Sequence, residues 1–253
     1  RRDINALSRQ NLMESYGIPR VDLFLLFGGS IPCAAELFAD AVREKIAAHY
    51  LIVGGEGHTT ESLRRKMAAL CPGLLTEGKS EAEVFAGYLS QKYGISPDYL
   101  ETASTNCGNN VTNALELIKK EGLPHDTILL MQDASMQLRM DAGFRKYLDA
   151  HSRIINFACY QAEVIVENNA LAFRDNTITG LWDMERYITL LMGEIPRLRD
   201  DSEGYGPQGK NFIAHVDIPE HVEKAYVYIK ENYGHLTRTA NPAYATSKGE
   251  GSA

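Results

Sequence analysis

Residues 21–42 read VDLFLLFGGSIPCAAELFADAV. Val21 to Phe27 is continuously apolar apart from Asp22, as a strand buried on both faces must be. Gly28-Gly29-Ser30 then turns the chain, and Pro32 suits the first turn of a helix running to about His49, with Ala34, Leu37, Phe38, Ala41 and Val42 at helical spacing. The unit is strand, glycine turn, helix.

It repeats downstream. Tyr50 to Val53 is a second apolar run, Gly54-Gly55-Glu56-Gly57-His58 a second glycine turn, and Thr60 a cap for a helix carrying Leu63, Met67 and Leu70. Ser80 and Glu83 form a capping box ahead of Val84, Phe85, Tyr88 and Leu89. Tyr99 to Thr102 predicts a brief strand. Ser104-Thr105-Asn106 offers three caps for a helix with Val111, Ala114, Leu115 and Ile118 on one face. Thr127 to Met131 predicts a buried strand, a helix through Met136, Met140, Phe144 and Leu148 follows, and Ile154 to Ala158 predicts another strand. Strands alternating with helices predict an α/β fold with a Rossmann-like doubly wound parallel sheet over 18–160.

Beyond residue 160 the rhythm changes. Gln161 to Thr179 is polar, Leu181 to Met192 reads as a helix ending near Gly193 and Pro196, and Val222 to Ile229 as another. Residues 161–235 are expected to form a smaller, mainly helical part, joined by a helix within 1–17, and 236–253 a flexible tail. Alternating charge at Arg197, Arg199, Asp200 and Asp201 suggests a loop held by its own ion pairs, or a lid or partner-binding loop over 193–211.

The chain has 253 residues and a net charge of −7. No apolar run reaches the roughly 18 residues of a membrane span, and the amino terminus does not read as a signal peptide. The acidic balance disfavours general nucleic-acid binding. Cys33, Cys71, Cys107 and Cys159 are widely spaced, without a zinc-ligand pattern, so no metal is expected and four reduced thiols in the cytoplasm are.

In a parallel sheet, ligands bind beyond the carboxyl ends of the strands. Candidate contacts are therefore Gly28, Gly29 and Ser30 after the first strand and Gly54, Gly55, Gly57 and His58 after the second. The third strand adds Ser104, Thr105, Asn106 and Asn109, and the fourth Gln132, Asp133 and the later Arg139. Neither glycine turn matches Gly-x-Gly-x-x-Gly or a P-loop. His58 is either a catalytic acid/base or a cap for the helix after it. Asp133 either accepts from ribose hydroxyls or pairs with Arg139, and Cys107 reads as a buried, inert thiol. Glu77, Lys79 and Glu81 fit a solvated, capped helix start. A bulky residue at Gly55 is expected to abolish ligand binding without unfolding the chain.

The stretches GGEGHTT at 54–60, STNCGNN at 104–110, QDASMQLR at 132–139, GLWDMERYITLLMGEIPRLRDDSEGYGPQG at 180–209 and FIAHVDIP at 212–219 carry a family resemblance. Through them the chain resembles the bacterial YdcF/SanA/ElyC domain-of-unknown-function family, on its unanchored, YdcF-like side. The resemblance implies a Rossmann-like domain and a capacity to bind S-adenosyl-L-methionine as a small-molecule ligand. The chain lacks the usual methyltransferase signature, a Gly-x-Gly turn after the first strand and an acidic residue ending the second. An alternative expectation is a hydrolase or transferase acting on a phosphorylated or glycosyl cell-envelope precursor, with His58, Asn106, Asp133 and Arg139 as its working groups.

Overall fold

A computed structural model describes residues 1–29, 31–149 and 151–236; Ser30 and all of the expected tail but Leu236 lie outside the described residues. Five strands form one parallel sheet: β1 (Val21–Phe27), β2 (Ala47–Val53), β3 (Tyr99–Glu101), β4 (Thr127–Met131) and β5 (Arg153–Asn156), in the order β3-β2-β1-β4-β5. The alternation along the central strands explains their unbroken apolar character. Phe24, Leu26, Tyr50, Ile52, Leu129 and Met131 pack into the core on one face. Leu23, Leu25, Phe27, Leu51, Val53, Ile128 and Leu130 pack into the core on the other. At the β1–β4 register, Asp22 Oδ2 accepts from Thr127 N at 2.8 Å and from the Thr127 hydroxyl at 2.9 Å.

The helices are α1 (Arg9–Tyr16), α2 (Cys33–Arg43), α3 (Thr60–Leu70), α4 (Glu81–Tyr93), α5 (Cys107–Lys120), α6 (Gln137–Tyr147), α7 (Met184–Leu198) and α8 (Glu220–Asn232). Phe38 of α2 and Phe85 of α4 belong to the first core, and Val111 of α5 and Phe144 of α6 to the second, so helices cover both faces. The α4 capping box forms as expected: Glu83 N donates to Ser80 Oγ, and Ser80 N donates to Glu83. These bonds and Lys79 hold the Glu83 carboxyl down at about 2. A carboxyl depressed in the fold stabilises it above the ordinary value of 4.5 and loses that contribution as pH falls towards 2. Glu83→Gln keeps the box and removes the charge, so it should cost about 0.3–1 kcal/mol at neutral pH, the range for an acid in the first turn of a helix, and urea midpoints should show the difference from wild type shrinking below pH 4.5. An unchanged difference down to pH 2 would contradict this.

Several boundaries move. The first-unit helix stops at Arg43, not His49: Lys45 takes a left-handed conformation (φ 53°) and β2 begins at Ala47. Tyr50 fixes this turn, its hydroxyl donating to Ala41 O and accepting from Ala47 N. Thr60 is the first helical residue of α3 rather than its cap. The polar stretch after 160 holds an antiparallel hairpin, β6 (Val164–Glu167) and β7 (Ala170–Phe173), turned by Asn168 and Asn169 at φ 51° and 61°. Such a two-residue turn needs positive φ at both positions, which asparagine tolerates. The α7 helix continues through Gly193 and Pro196 to Leu198.

The amino-terminal segment lies along β5. Asp3 N donates to Asn156 O at 2.8 Å, Ala158 N to Arg1 O at 2.9 Å, and Leu12 is fully buried in the first core. The late segment packs onto α6 through Leu198, Ile213 and Val216 around Ala142. Its charges do not neutralise one another as expected: Arg197 pairs with Glu194, Arg199 with Glu223, and Asp200 with His215. No helix among the described residues is long and apolar enough to cross a membrane.

Candidate functional site

The strand order reverses at β1, where the chain first builds outward through β2 and β3 and then returns to add β4 and β5. In open α/β sheets that reversal opens the ligand crevice, here between the carboxyl ends of β1 and β4. Gly28 and Gly29 border it on one side and Gln132 and Asp133 on the other, and all four are buried. Gln132 Nε2 spans it, donating to Gly28 O at 3.0 Å.

The glycine turns are packed against each other. A Cβ on Gly54 would lie 2.9 Å from Gly28 Cα, and one on Gly28 would meet Glu81 Oε2. A Cβ on Gly55 would strike Ser104 O and come within 2.8 Å of Ser104 N and Thr102 O. Gly28, Gly54 and Gly55 are therefore glycines because neighbouring chain occupies the space, which corrects the expectation that Gly55 tolerates bulk. Gly29 differs: its φ is +80° and its nearest neighbours, Thr59 Oγ1 and the Met136 thioether, stand at 3.5 Å or more. Gly57 has only Thr105 O nearby, at 3.3 Å.

Glu81 holds the two turns together. Its Oε1 accepts from the Thr59 hydroxyl at 3.0 Å and the Thr60 hydroxyl at 2.9 Å, and the carboxylate also accepts from Gly29 N. Thr60 Oγ1 in turn accepts from Gly57 N at 2.7 Å. Burial pushes the Glu81 carboxyl up, against the lowering effect of those donors. This residue, expected in a solvated helix start, is buried at the centre of the glycine belt. Its one signal in the sequence was a second acid in a first turn whose capping box already used Glu83.

The third loop joins the same belt. Ser104 Oγ accepts from Gly55 N at 3.0 Å, and Ser104 O from Glu56 N at 3.0 Å. Asn106 caps α5, accepting from Asn109 N, while its amide and the Thr105 hydroxyl both donate to Asn109 Oδ1. His58 is exposed between Gly57 and Thr59 on the β2–α3 turn. Cys107, the first residue of α5, is buried, and burial raises its thiol. All four cysteines are buried and free.

Asp133 and Arg139 find other partners than the expected pair. Asp133 Oδ1 accepts from the Tyr160 hydroxyl at 2.8 Å and the Ser135 hydroxyl at 2.7 Å, and Oδ2 accepts from the Trp182 indole at 2.7 Å. Burial raises the Asp133 carboxyl, and both its oxygens are engaged within the chain. Arg139 instead makes a bidentate pair with Glu194 of α7, at 2.5 and 2.8 Å. The late segment thus straps across the sheet end. Lys66 of α3 donates to Gly180 O at 2.7 Å and lies over the Trp182 ring at 4.2 Å, and Cys33 N donates to Thr179 O.

Glu101 was not singled out in the sequence and also belongs to this region, as does Asn110, the last residue of the 104–110 run. Glu101 closes β3, and its Oε1 accepts from Ala103 N at 2.7 Å, Ser104 N at 3.0 Å and Asn113 Nδ2 at 3.1 Å. Its Oε2 is buried and, among the described residues, has no partner. A polar atom left so costs about 1–3 kcal/mol. Among the described residues, no group of three His, Cys, Asp or Glu is placed to hold a metal ion. No protein-family model matches the chain.

Proposed function

We propose that the chain is a cytoplasmic bacterial protein of the YdcF/SanA/ElyC kind that binds a nucleotide-type small molecule, S-adenosyl-L-methionine, beyond the carboxyl ends of the parallel strands. One observation carries the reading: the sheet reverses at β1, and the loops after β1, β2, β3 and β4 converge there in one glycine- and asparagine-rich belt. Gly57, half-buried on the second turn, offers backbone that a ligand can approach. The positive end of the 14-residue α5, opening at Cys107, suits a carboxylate such as that of the methionine part. Asp133 is enclosed by its own partners, so it is not assigned to the ligand. The belt supports binding, and no methyl-transfer step is assigned. A hydrolase or transferase of envelope precursors would need Arg139 as a free cation, and Glu194 takes its Nε and Nη2.

Calorimetric titration of the purified chain with S-adenosyl-L-methionine is expected to give saturable heat. At a ligand concentration about 100 times Kd the stabilisation is about 2.7 kcal/mol, a rise in Tm of roughly 5–10 °C for a chain of this size. Neither heat nor a thermal shift at millimolar ligand would sink the reading.

A further inference from the structure

Of the five parallel strands, which end in Phe27, Val53, Glu101, Met131 and Asn156, β3 alone ends in an acidic side chain. Glu101 sits beside Val53 in the β2–β3 register, and Gly54 N donates to Glu101 O at 2.9 Å, so the carboxylate stands next to the second glycine turn. One of its oxygens takes three donors and the other takes none among the described residues. The first turn of α5 also holds an amide, Asn110, which is 7% exposed. A native fold rarely leaves a buried carboxylate oxygen such as Glu101 Oε2 without a donor unless something else completes it.

We infer that Glu101 and Asn110 are the sugar-recognition pair of the site: Glu101 Oε2 accepts from the hydroxyls of a ribose vicinal diol, and the Asn110 amide bonds the same sugar edge. An acceptor without a donor and an amide offering both kinds of group complement hydroxyls, which donate and accept. The turn wrapping the carboxylate, Thr102 and Ala103, is exposed, so the ligand approaches Oε2 from that side. Glu101 thus stands one strand outward from where dinucleotide-binding sheets place their ribose acid. The inference rests on the proposed nucleotide-type ligand.

The test compares S-adenosyl-L-methionine with its 2′-deoxyribose counterpart by calorimetry, on wild type and on Glu101→Gln. Gln keeps an oxygen for the three donors and puts an NH2 where Oε2 was, so the variant should fold, with a Tm lowered only by the weaker bonds to a neutral oxygen. Wild type is expected to bind the ribose form about 10- to 100-fold more tightly, as loss of a hydrogen bond to a charged group predicts. Glu101→Gln should lose that preference, the ribose form losing more affinity than the deoxy form. Asn110→Ala should narrow the preference as well. Equal binding of both ligands by wild type, or a preference that survives in Glu101→Gln, overturns the pair and leaves the ligand reading standing. Wild type binding neither ligand overturns both. The wild-type comparison decides even where a variant fails to fold.

Discussion

Gly55→Val is expected to unfold this protein or come close to it. A branched side chain there meets backbone, not flexible side chain: Ser104 O directly, and Ser104 N and Thr102 O at 2.8 Å from the Cβ alone. Overpacking a tight core costs about 1–3 kcal/mol and sometimes more, and fixed backbone on two sides puts this case at or above the upper end. The clash also pushes Ser104 away from Gly55 N and Glu56 N, the bonds that join the second and third loops. Thermal unfolding should show a fall of roughly 6–12 °C, or the protein should be recovered only as aggregate. Gly57→Ala is the control, with its nearest neighbour at 3.3 Å, and should change stability by no more than about 1 kcal/mol. A Gly55→Val protein with wild-type Tm would mean that the two loops are not packed as described.

Glu81→Ala should have the second large effect. It strips an acceptor from the Thr59 and Thr60 hydroxyls and from Gly29 N, all within the glycine belt. Buried donors left without an acceptor cost about 1–3 kcal/mol each and do not add in full, so a loss of about 3–5 kcal/mol is expected. The pH dependence separates the carboxyl from its shape. Burial raises the Glu81 carboxyl above its ordinary 4.5, so the folded chain keeps a proton that the unfolded chain releases. Its contribution is full below pH 4.5 and is lost as pH rises through the folded value. Asp133, raised by burial in the same direction, contributes with the same sign in wild type and variant alike. Urea midpoints should therefore fall with rising pH more steeply in wild type than in Glu81→Gln, which cannot ionise. Parallel curves would place the Glu81 carboxyl at its ordinary value.

The alternation of strands and helices was legible because β1, β2 and β4 are buried on both faces and so are apolar at nearly every position. The β6–β7 hairpin was not legible, because both its strands are largely exposed and its Asn168-Asn169 turn looks like any polar loop. Three of the four loops that meet at the candidate site were visible as glycine and asparagine clusters at strand ends. Their relation was not: which glycines are pressed against neighbouring chain depends on Glu81 and Ser104, brought in from 26 and 49 positions beyond Gly55. The Asp133–Arg139 pairing failed for a similar reason. Sequence proximity suggested it, but Trp182 and Tyr160 reach Asp133 and Glu194 reaches Arg139 only through the return of the late segment.

That return sets the order in which the protein can be completed during synthesis. All five parallel strands have been synthesised by residue 156, yet the buried carboxylate of Asp133 still lacks its indole donor, Arg139 its counter-charge and the sheet end its strap. A chain truncated between residues 160 and 180 holds a sheet whose carboxyl end is open to water. Closure waits for α7, so the truncated chain should stay accessible to proteases at the very loops that the finished protein buries.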